Sequence, residues 1–128
     1  MLKARTIPFD ILAGHTFMSL TTFRKHGQPV PTPVWFAQTD KKLYVITEAN
    51  AGKVKRIRGN AQVEVAPCDV SGKLLGDSVE AMARILPPDQ IQMAKHALNR
   101  KYGWQKRGWD LMNRLRGKDM LYLEIMPM

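Results

Sequence analysis

The sequence contains a single cysteine, Cys68, in a chain of 128 residues. No intrachain disulfide can therefore form, and the chain alone cannot assemble a cysteine-rich metal site. The three histidines, His15, His26 and His96, are too scattered to predict a metal site. Because free thiols persist in reducing compartments, the cysteine content predicts a cytoplasmic protein.

Long apolar runs are also missing. No stretch approaches the roughly 20 consecutive apolar residues that would span a bilayer, and the basic start MLKARTIPFDILAG holds only a very short apolar segment. The chain also lacks a Ser/His/Asp triad and a G-x-G-x-x-G fingerprint. We therefore expect neither a membrane protein nor a secreted one, and neither triad hydrolysis nor dinucleotide binding of the Rossmann type.

Acidic residues are scarce, with 11 Asp and Glu against 20 Lys and Arg, which gives a formal charge of +9. Such an excess predicts an anionic partner. One basic cluster consists of Lys53, Lys55, Arg56 and Arg58, and a second covers 95–118. Hydrophobic residues make up 45% of the chain and charged residues 24%, as in globular proteins. The length predicts one domain over residues 1–128.

Six segments rich in β-branched and aromatic residues predict strands, separated by polar and glycine-containing turns. The segment at 29–38 carries three prolines, so its first half should lie at a sheet edge or a bulge. The segment at 73–86 is long and should bend near Gly76. The six predicted strands are 16–24, 29–38, 43–48, 62–70, 73–86 and 120–127.

Helical spacing of apolar residues predicts a short helix within 50–60 and a longer one that opens at Pro88 and stops at Gly103. A weaker pattern predicts another helix over 104–115. Strands dominate, and the helices come late in the chain. The expected fold is therefore mainly β with helices, an antiparallel six-stranded split β-barrel.

Two blocks, LTTFRKHGQPVPTPVWFA at 20–37 and GKVKRIRGNAQVEVAPCD at 52–69, are followed by KYG at 101–103. In this order they resemble the pyridoxamine 5′-phosphate oxidase-like flavin-binding split-barrel superfamily. The likeness is closest to its small branch of oxidoreductases that use a flavin or the deazaflavin coenzyme F420. It implies a homodimer with C2 symmetry, in which each cofactor lies in a groove between the subunits.

The resemblance also implies which residues contact the cofactor. The phosphate would be held by Thr47, Lys53 and either Lys55 or Arg56, and the ring would lie along the strand near Trp35. Gly52 stands where the oxidase carries a phosphate-binding arginine, and no equivalent of the oxidase's C-terminal substrate motif is found, so oxidation of pyridoxamine phosphate is not expected. The predicted cofactor contacts are Thr32, Pro33, Val34, Trp35, Thr47, Ala51, Lys53, Lys55, Arg56, Pro67 and Cys68.

The function expected from the resemblance is hydride transfer between FMN or F420 and a small organic substrate. No catalytic side chain is predicted, because such a cofactor carries the hydride itself. The basic excess favours F420, whose tail bears several carboxylates. Two alternatives stay open: nucleic-acid binding through Trp104, Trp109 and their basic neighbours, and a non-catalytic flavin or tetrapyrrole carrier. Trp35 is equally compatible with a core or dimer-interface position.

Overall fold

The structure is a computed structural model that describes residues 9–39, 41–103 and 119–128. Its described part contains seven strands, two α-helices and two short 3₁₀ turns, at Asp10–Leu12 and Pro88–Gln90. The helices are α1 (Gly52–Gly59) and α2 (Gln92–Tyr102). The strands are β1 (Phe17–Phe23), β2 (Pro29–Trp35), β3 (Ala37–Thr39), β4 (Lys42–Glu48), β5 (Gln62–Cys68), β6 (Val79–Ile85) and β7 (Met120–Pro127).

All seven strands form one antiparallel sheet in the order β2-β1-β5-β6-β7-β4-β3. The two edge strands, β2 and β3, are consecutive in the chain and are joined by one residue, Phe36. A sheet whose opposite edges are one residue apart must curl on itself, as in a half-closed barrel. The fold is therefore mainly β, with helices packed against a curled sheet, which agrees with a split barrel.

The strand count of six is wrong, because the segment predicted as one strand over 29–38 forms two strands. Trp35 pairs with Phe17 of β1, whereas Ala37 pairs with Tyr44 of β4. The chain changes partner at Phe36, and a residue that changes partner cannot remain in either ladder. The interruption therefore connects the two edges of the curled sheet.

The predicted strand over 73–86 is also shorter than expected, because β6 covers only Val79–Ile85. The carboxylate of Asp69 accepts hydrogen bonds from the backbone N–H groups of Ser71 and Lys73, both at 2.9 Å. These contacts wind the chain into a tight turn over 69–73. Leu74 then forms a single bridge with Cys68, and the Leu75 N–H donates to the Pro67 carbonyl at 2.8 Å. The chain bends at Gly76, as predicted, and regular pairing begins only at Val79.

Prolines occupy every second position of β2, at Pro29, Pro31 and Pro33. They fit beside β1 because hydrogen-bonded and non-hydrogen-bonded residue pairs alternate along the two strands, and the prolines fall in the non-hydrogen-bonded pairs. Arg24 N–H donates to the Gln28 carbonyl at 2.9 Å, and this bond sets the alternation of hydrogen-bonded pairs along the hairpin. The residues whose N–H groups face β1 are Val30, Thr32 and Val34, and those whose nitrogens face the open edge are Pro29, Pro31 and Pro33. The prediction of a proline-bearing edge strand is confirmed.

The core divides into two clusters. One fills the curled sheet and includes Leu20, Phe36 and Leu123, and the other lies between α2 and the strands β4 and β7. Both helices expected before residue 104 are present, and Gly103, at φ 58°, ends α2. The helix predicted over 104–115 lies outside the described residues.

Candidate functional site

An open groove of about 410 Å³ lies where the end of β2, the end of β4 and the start of α1 meet. This volume is within the range of small-molecule sites. One wall is apolar and the other carries charged and hydroxyl groups. The lining residues are Phe17, Pro33, Val34, Trp35, Ile46, Thr47, Glu48, Ala51 and Lys53.

The groove brings together two groups of predicted site residues that are distant in sequence. Pro33, Val34 and Trp35 come from the edge strand β2, and Thr47, Ala51 and Lys53 come from β4 and the start of α1. They meet because the curled sheet places β2 over β4, although the two strands are not paired in the ladder.

The remaining predicted residues lie outside the groove lining. Thr32 is bound within the sheet, since its Oγ1 donates to the Leu20 carbonyl at 3.4 Å. Lys55 is exposed on α1. Pro67 and Cys68 are buried on β5, and burial raises the pKa of the Cys68 thiol, as does the nearby Asp69. A thiol in this setting is a small apolar core group.

Lys53 is a half-buried cation at the charged wall. Burial lowers its pKa, the positive charge of Arg56 lowers it further, and the negative charge of Glu48 acts in the opposite direction. Burial and a neighbouring cation both disfavour the ammonium form, and a bound anion would offset both. Val54 and Ile57, which are buried beneath the helix, hold α1 and thus Lys53 in place.

Arg56 lies one turn along the same helix face and comes close to Gly52. Its Nε donates to Thr22 Oγ1 at 2.6 Å, and a β-carbon built on Gly52 would stand 2.8 Å from one guanidinium nitrogen. Burial and the charge of Arg24 lower the pKa of Arg56. The space next to residue 52, where the resemblance places an arginine in the oxidase, is therefore occupied here by the Arg56 guanidinium.

The start of α1 supplies backbone donors next to these cations. Ala51 precedes the helix without a side-chain cap, and its carbonyl accepts the Val54 N–H at 3.1 Å. The N–H groups of Gly52 and Lys53 come before this first bond of the helix, so they have no intrahelical acceptor. Such groups and the positive end of the helix favour an anion.

Trp35 lines the apolar wall with one part of its ring and packs on Tyr102 of α2 with another. The two ring centroids are 4.7 Å apart and the planes differ by 12°, which is a stacked pair. Trp35 therefore lines the groove and also packs against α2. Phe17, which pairs with Trp35 across the β1–β2 ladder, extends the same wall.

The Tyr102 hydroxyl is bound to the backbone at the point where β2 ends. It accepts the Phe36 N–H at 2.9 Å and lies within donating distance of two carbonyl oxygens, Phe36 at 2.7 Å and Thr16 at 2.8 Å. Burial raises the pKa of Tyr102 to about 12, so the hydroxyl keeps its proton at neutral pH. The neighbouring Lys101 donates from Nζ to the His15 carbonyl at 2.7 Å and lies 3.5 Å from the Phe36 ring centroid.

Sequence reasoning did not identify Phe17, Ile46, Glu48 or Tyr102 as part of the site or its support. Tyr102 stands in the KYG segment, far from β2 in the sequence, and nothing in the sequence indicates that the two are in contact. The charge pattern gives no signal for Glu48, because an acidic residue is not expected in a groove for an anion. Its position at the end of β4, four residues before the start of α1, was the one available clue.

The described residues contain no group of three or more His, Cys, Asp and Glu side chains that could hold a metal ion. None of His15, His26 and His96 is among the groove residues. Within the same ranges, no helix has both the length and the apolar character needed to cross a bilayer. Trp104 and Trp109, on which the nucleic-acid alternative depends, lie outside the described part.

The chain is similar to known proteins in sequence and in fold. Residues 9–126 match the profile of the pyridoxamine 5′-phosphate oxidase family. No curated protein matches the chain.

Several solved structures share the fold. The haem storage protein HutZ of Vibrio cholerae has a TM-score of 0.68 and 14% identity, over 93% of this chain and 86% of that one. A conserved hypothetical protein of Mycobacterium tuberculosis has a TM-score of 0.67 and 21% identity, over 92% of this chain and 76% of that one. A FAD-binding protein of Mesorhizobium loti has a TM-score of 0.60 and 21% identity, over 91% of this chain and 82% of that one.

Proposed function

Because the chain belongs to the pyridoxamine 5′-phosphate oxidase family, we propose that it binds a flavin or deazaflavin nucleotide in the groove at β2, β4 and α1 and acts as an oxidoreductase. The observation that carries the proposal is the division of the groove into two walls. One is apolar and aromatic, and the other joins Lys53 and the start of α1 to Thr47 and Glu48. A phosphate-bearing cofactor with a flat ring has the same two parts.

The phosphate end would lie at the start of α1. Lys53 supplies a desolvated charge, the N–H groups of Gly52 and Lys53 supply donors, and the Arg56 guanidinium fills the space next to Gly52. Charge-assisted bonds of this kind are the strongest that a phosphate forms with a protein. Thr47, buried on β4, adds a hydroxyl to this wall.

The ring end would lie against β2. Phe17, Val34 and Trp35 offer apolar area, and the phase of the hairpin turns the Pro33 carbonyl away from β1. An acceptor on the open edge and a flat aromatic wall suit a ring that is apolar on its faces and polar at its rim.

The bound cofactor would supply the hydride chemistry. The chain's own residues would hold the phosphate, orient the ring and limit the access of water on the side of β2 and β4. A carrier without turnover would use the same residues. Haem binding has less support, because a bound haem iron needs an axial ligand and no His, Cys, Met or Tyr is among the described residues that line the groove.

We favour F420 over FMN for the cofactor. Arg56 lies one helical turn from Lys53 and donates to Thr22 of β1, and Arg24 follows two residues later at the β1–β2 turn. One phosphate needs fewer charges than these three cations provide. The carboxylate-bearing tail of F420 would use the cations farther from the groove.

F420 is therefore expected to bind more tightly than FMN, with an affinity that falls more steeply as salt rises, because exposed charge pairs are screened. The dissociation constants of both cofactors, measured at low and high ionic strength with the full chain, test this expectation. Equal slopes for the two cofactors would show that Arg24 and its neighbours only solvate the surface. Binding of neither cofactor would overturn the proposed function itself.

We also propose that the chain is a homodimer and that the second subunit covers the groove. The groove is open in one chain, and the turn between β5 and β6 exposes Val70, Leu74 and Leu75 by 71%, 53% and 53%. Apolar side chains grouped in this way favour an interface. Light scattering at micromolar protein is expected to give a mass of two chains, and a monomer with cofactor bound would contradict the dimer.

A further inference from the structure

Tyr102 touches the backbone on both sides of the aromatic wall without lining the groove itself. Its hydroxyl reaches the carbonyl of Thr16, the residue before Phe17, and both backbone groups of Phe36, the residue after Trp35. Phe17 and Trp35 are partners in the β1–β2 ladder and both line the groove. One buried hydroxyl therefore connects the ends of the two strands that form this wall.

The Phe36 peptide needs this partner. The chain leaves the β1 ladder at Trp35 and enters the β4 ladder at Ala37, so Phe36 stands between two ladders with its side chain 1% exposed. A buried N–H without an acceptor costs about 1–3 kcal/mol, and a hydroxyl from another element removes that cost. The crossover is thus fixed by a group from α2.

The Tyr102 ring acts on the same wall through a second contact. It stacks on Trp35 at 4.7 Å, on a helix whose buried residues anchor it to β4 and β7. The rotamer of Trp35 and the backbone that carries it are therefore held by the same residue. A wall held before binding loses less conformational freedom when a ligand arrives.

We propose that Tyr102 is a positioning residue, which fixes the Phe17–Trp35 wall in the geometry that receives the cofactor ring. This inference rests on the proposed function. It assigns Tyr102 no contact with the phosphate and none with the reacting atoms.

The test compares Tyr102→Phe with Tyr44→Phe in the full chain. Tyr44 is a matched control, because its ring is 3% exposed and its hydroxyl bonds to Glu124 at 3.2 Å, on the part of β4 that does not line the groove. Titration with FMN is expected to show a roughly three- to tenfold higher Kd for Tyr102→Phe. Tyr44→Phe should keep the wild-type Kd within about twofold, which is below the effect of one hydrogen bond.

Two further readouts separate positioning from general stability. A purely structural residue would lower the melting temperature while the folded fraction kept its Kd and the visible circular dichroism of its bound ring. Positioning predicts a changed dichroism, and additivity with Lys53→Ala, because the two residues act on different parts of the ligand. A Kd and a dichroism equal to those of Tyr44→Phe would overturn the inference.

Hydrogen exchange in the wild-type chain covers the case in which Tyr102→Phe does not fold. Without cofactor, the Phe36 amide is expected to exchange as slowly as ladder amides of β1. Exchange at the rate of exposed turn amides would show that the hydrogen bond from the Phe36 N–H to the Tyr102 hydroxyl is not formed, and would overturn the inference. If the wild-type chain binds neither FMN nor F420, the proposed function has failed, whether or not the Phe36 amide is protected from exchange.

Discussion

Replacing Lys53 by alanine is expected to weaken FMN binding by roughly ten- to a hundred-fold. The loss corresponds to one charge-assisted contact with a phosphate, worth about 1.5–3 kcal/mol. Lys53 precedes the buried Val54, which anchors α1 and remains in the variant, so folding should change little. Quenching of flavin fluorescence during titration measures the Kd.

Lys55→Ala is the control for this experiment. Lys55 has the same charge and stands on the same helix, but it is exposed and does not line the groove. It should change the Kd by less than about twofold, since an exposed charge acts mainly through screened, long-range attraction. An equal loss in both variants would mean that only the net charge of α1 matters. Normal binding by Lys53→Ala would place the phosphate elsewhere.

Replacing Glu124 by glutamine is expected to lower the free energy of unfolding by about 1–2 kcal/mol at pH 7. Glu124 is 5% exposed on β7, and its carboxylate accepts bonds from Arg84 Nε at 2.9 Å, Tyr44 Oη at 3.2 Å and Lys42 Nζ at 3.5 Å. The two cations are about half exposed, so water solvates them when the carboxylate is lost. This solvation keeps the expected loss moderate.

The same variant has a defined pH dependence. Burial alone would raise the pKa of Glu124, but the hydrogen bond and charge of Arg84, with Lys42 and Tyr44, hold it below its usual value. A depressed pKa in the folded state adds stability above the unfolded pKa of about 4.3, and this stability is lost as the pH falls through the folded pKa. The difference in the free energy of unfolding between wild type and Glu124→Gln should therefore become smaller as the pH falls below about 4.3.

Urea unfolding of wild type and Glu124→Gln at pH 7 and near pH 3 measures this difference in the free energy of unfolding. Asp77→Asn is a suitable control, because Asp77 is exposed in the turn before β6 and its replacement should leave stability nearly unchanged at both values. A difference of the same size at low and neutral pH would show that the amide disturbs packing rather than removing a charge.

The sequence was sufficient for the features that depend on local pattern. Runs of β-branched residues predicted most strands, alternating prolines predicted that β2 lies at an edge, and Val54 with Ile57 predicted α1. The pairing of Lys53 with the β2 segment in one site came from the family resemblance. No spacing in the sequence indicates that β2 and β4 curl towards each other.

The features that were missed depend on contacts between distant parts of the chain. The run from Val34 to Gln38 reads as a continuous strand, and the interruption at Phe36 is stabilised by a hydroxyl on α2. The expected bend at Gly76 interrupts the strand before β6, and Gly76 lies there against Pro67 of β5, where a β-carbon would stand 2.9 Å from the Pro67 side chain. In both cases tertiary contacts overrode a local β preference.

The prolines of β2 have a consequence for the behaviour of the chain at high concentration. An open strand edge normally offers N–H donors and carbonyl acceptors in alternation, and a strand of another molecule can add to it and propagate into fibres. At Pro29, Pro31 and Pro33 the open edge of β2 offers carbonyls alone, so the carbonyls of an incoming strand would find no donor there. The edge nearest the groove is thus protected against amyloid-like growth, and copies of the chain that associate on this side must do so through side chains.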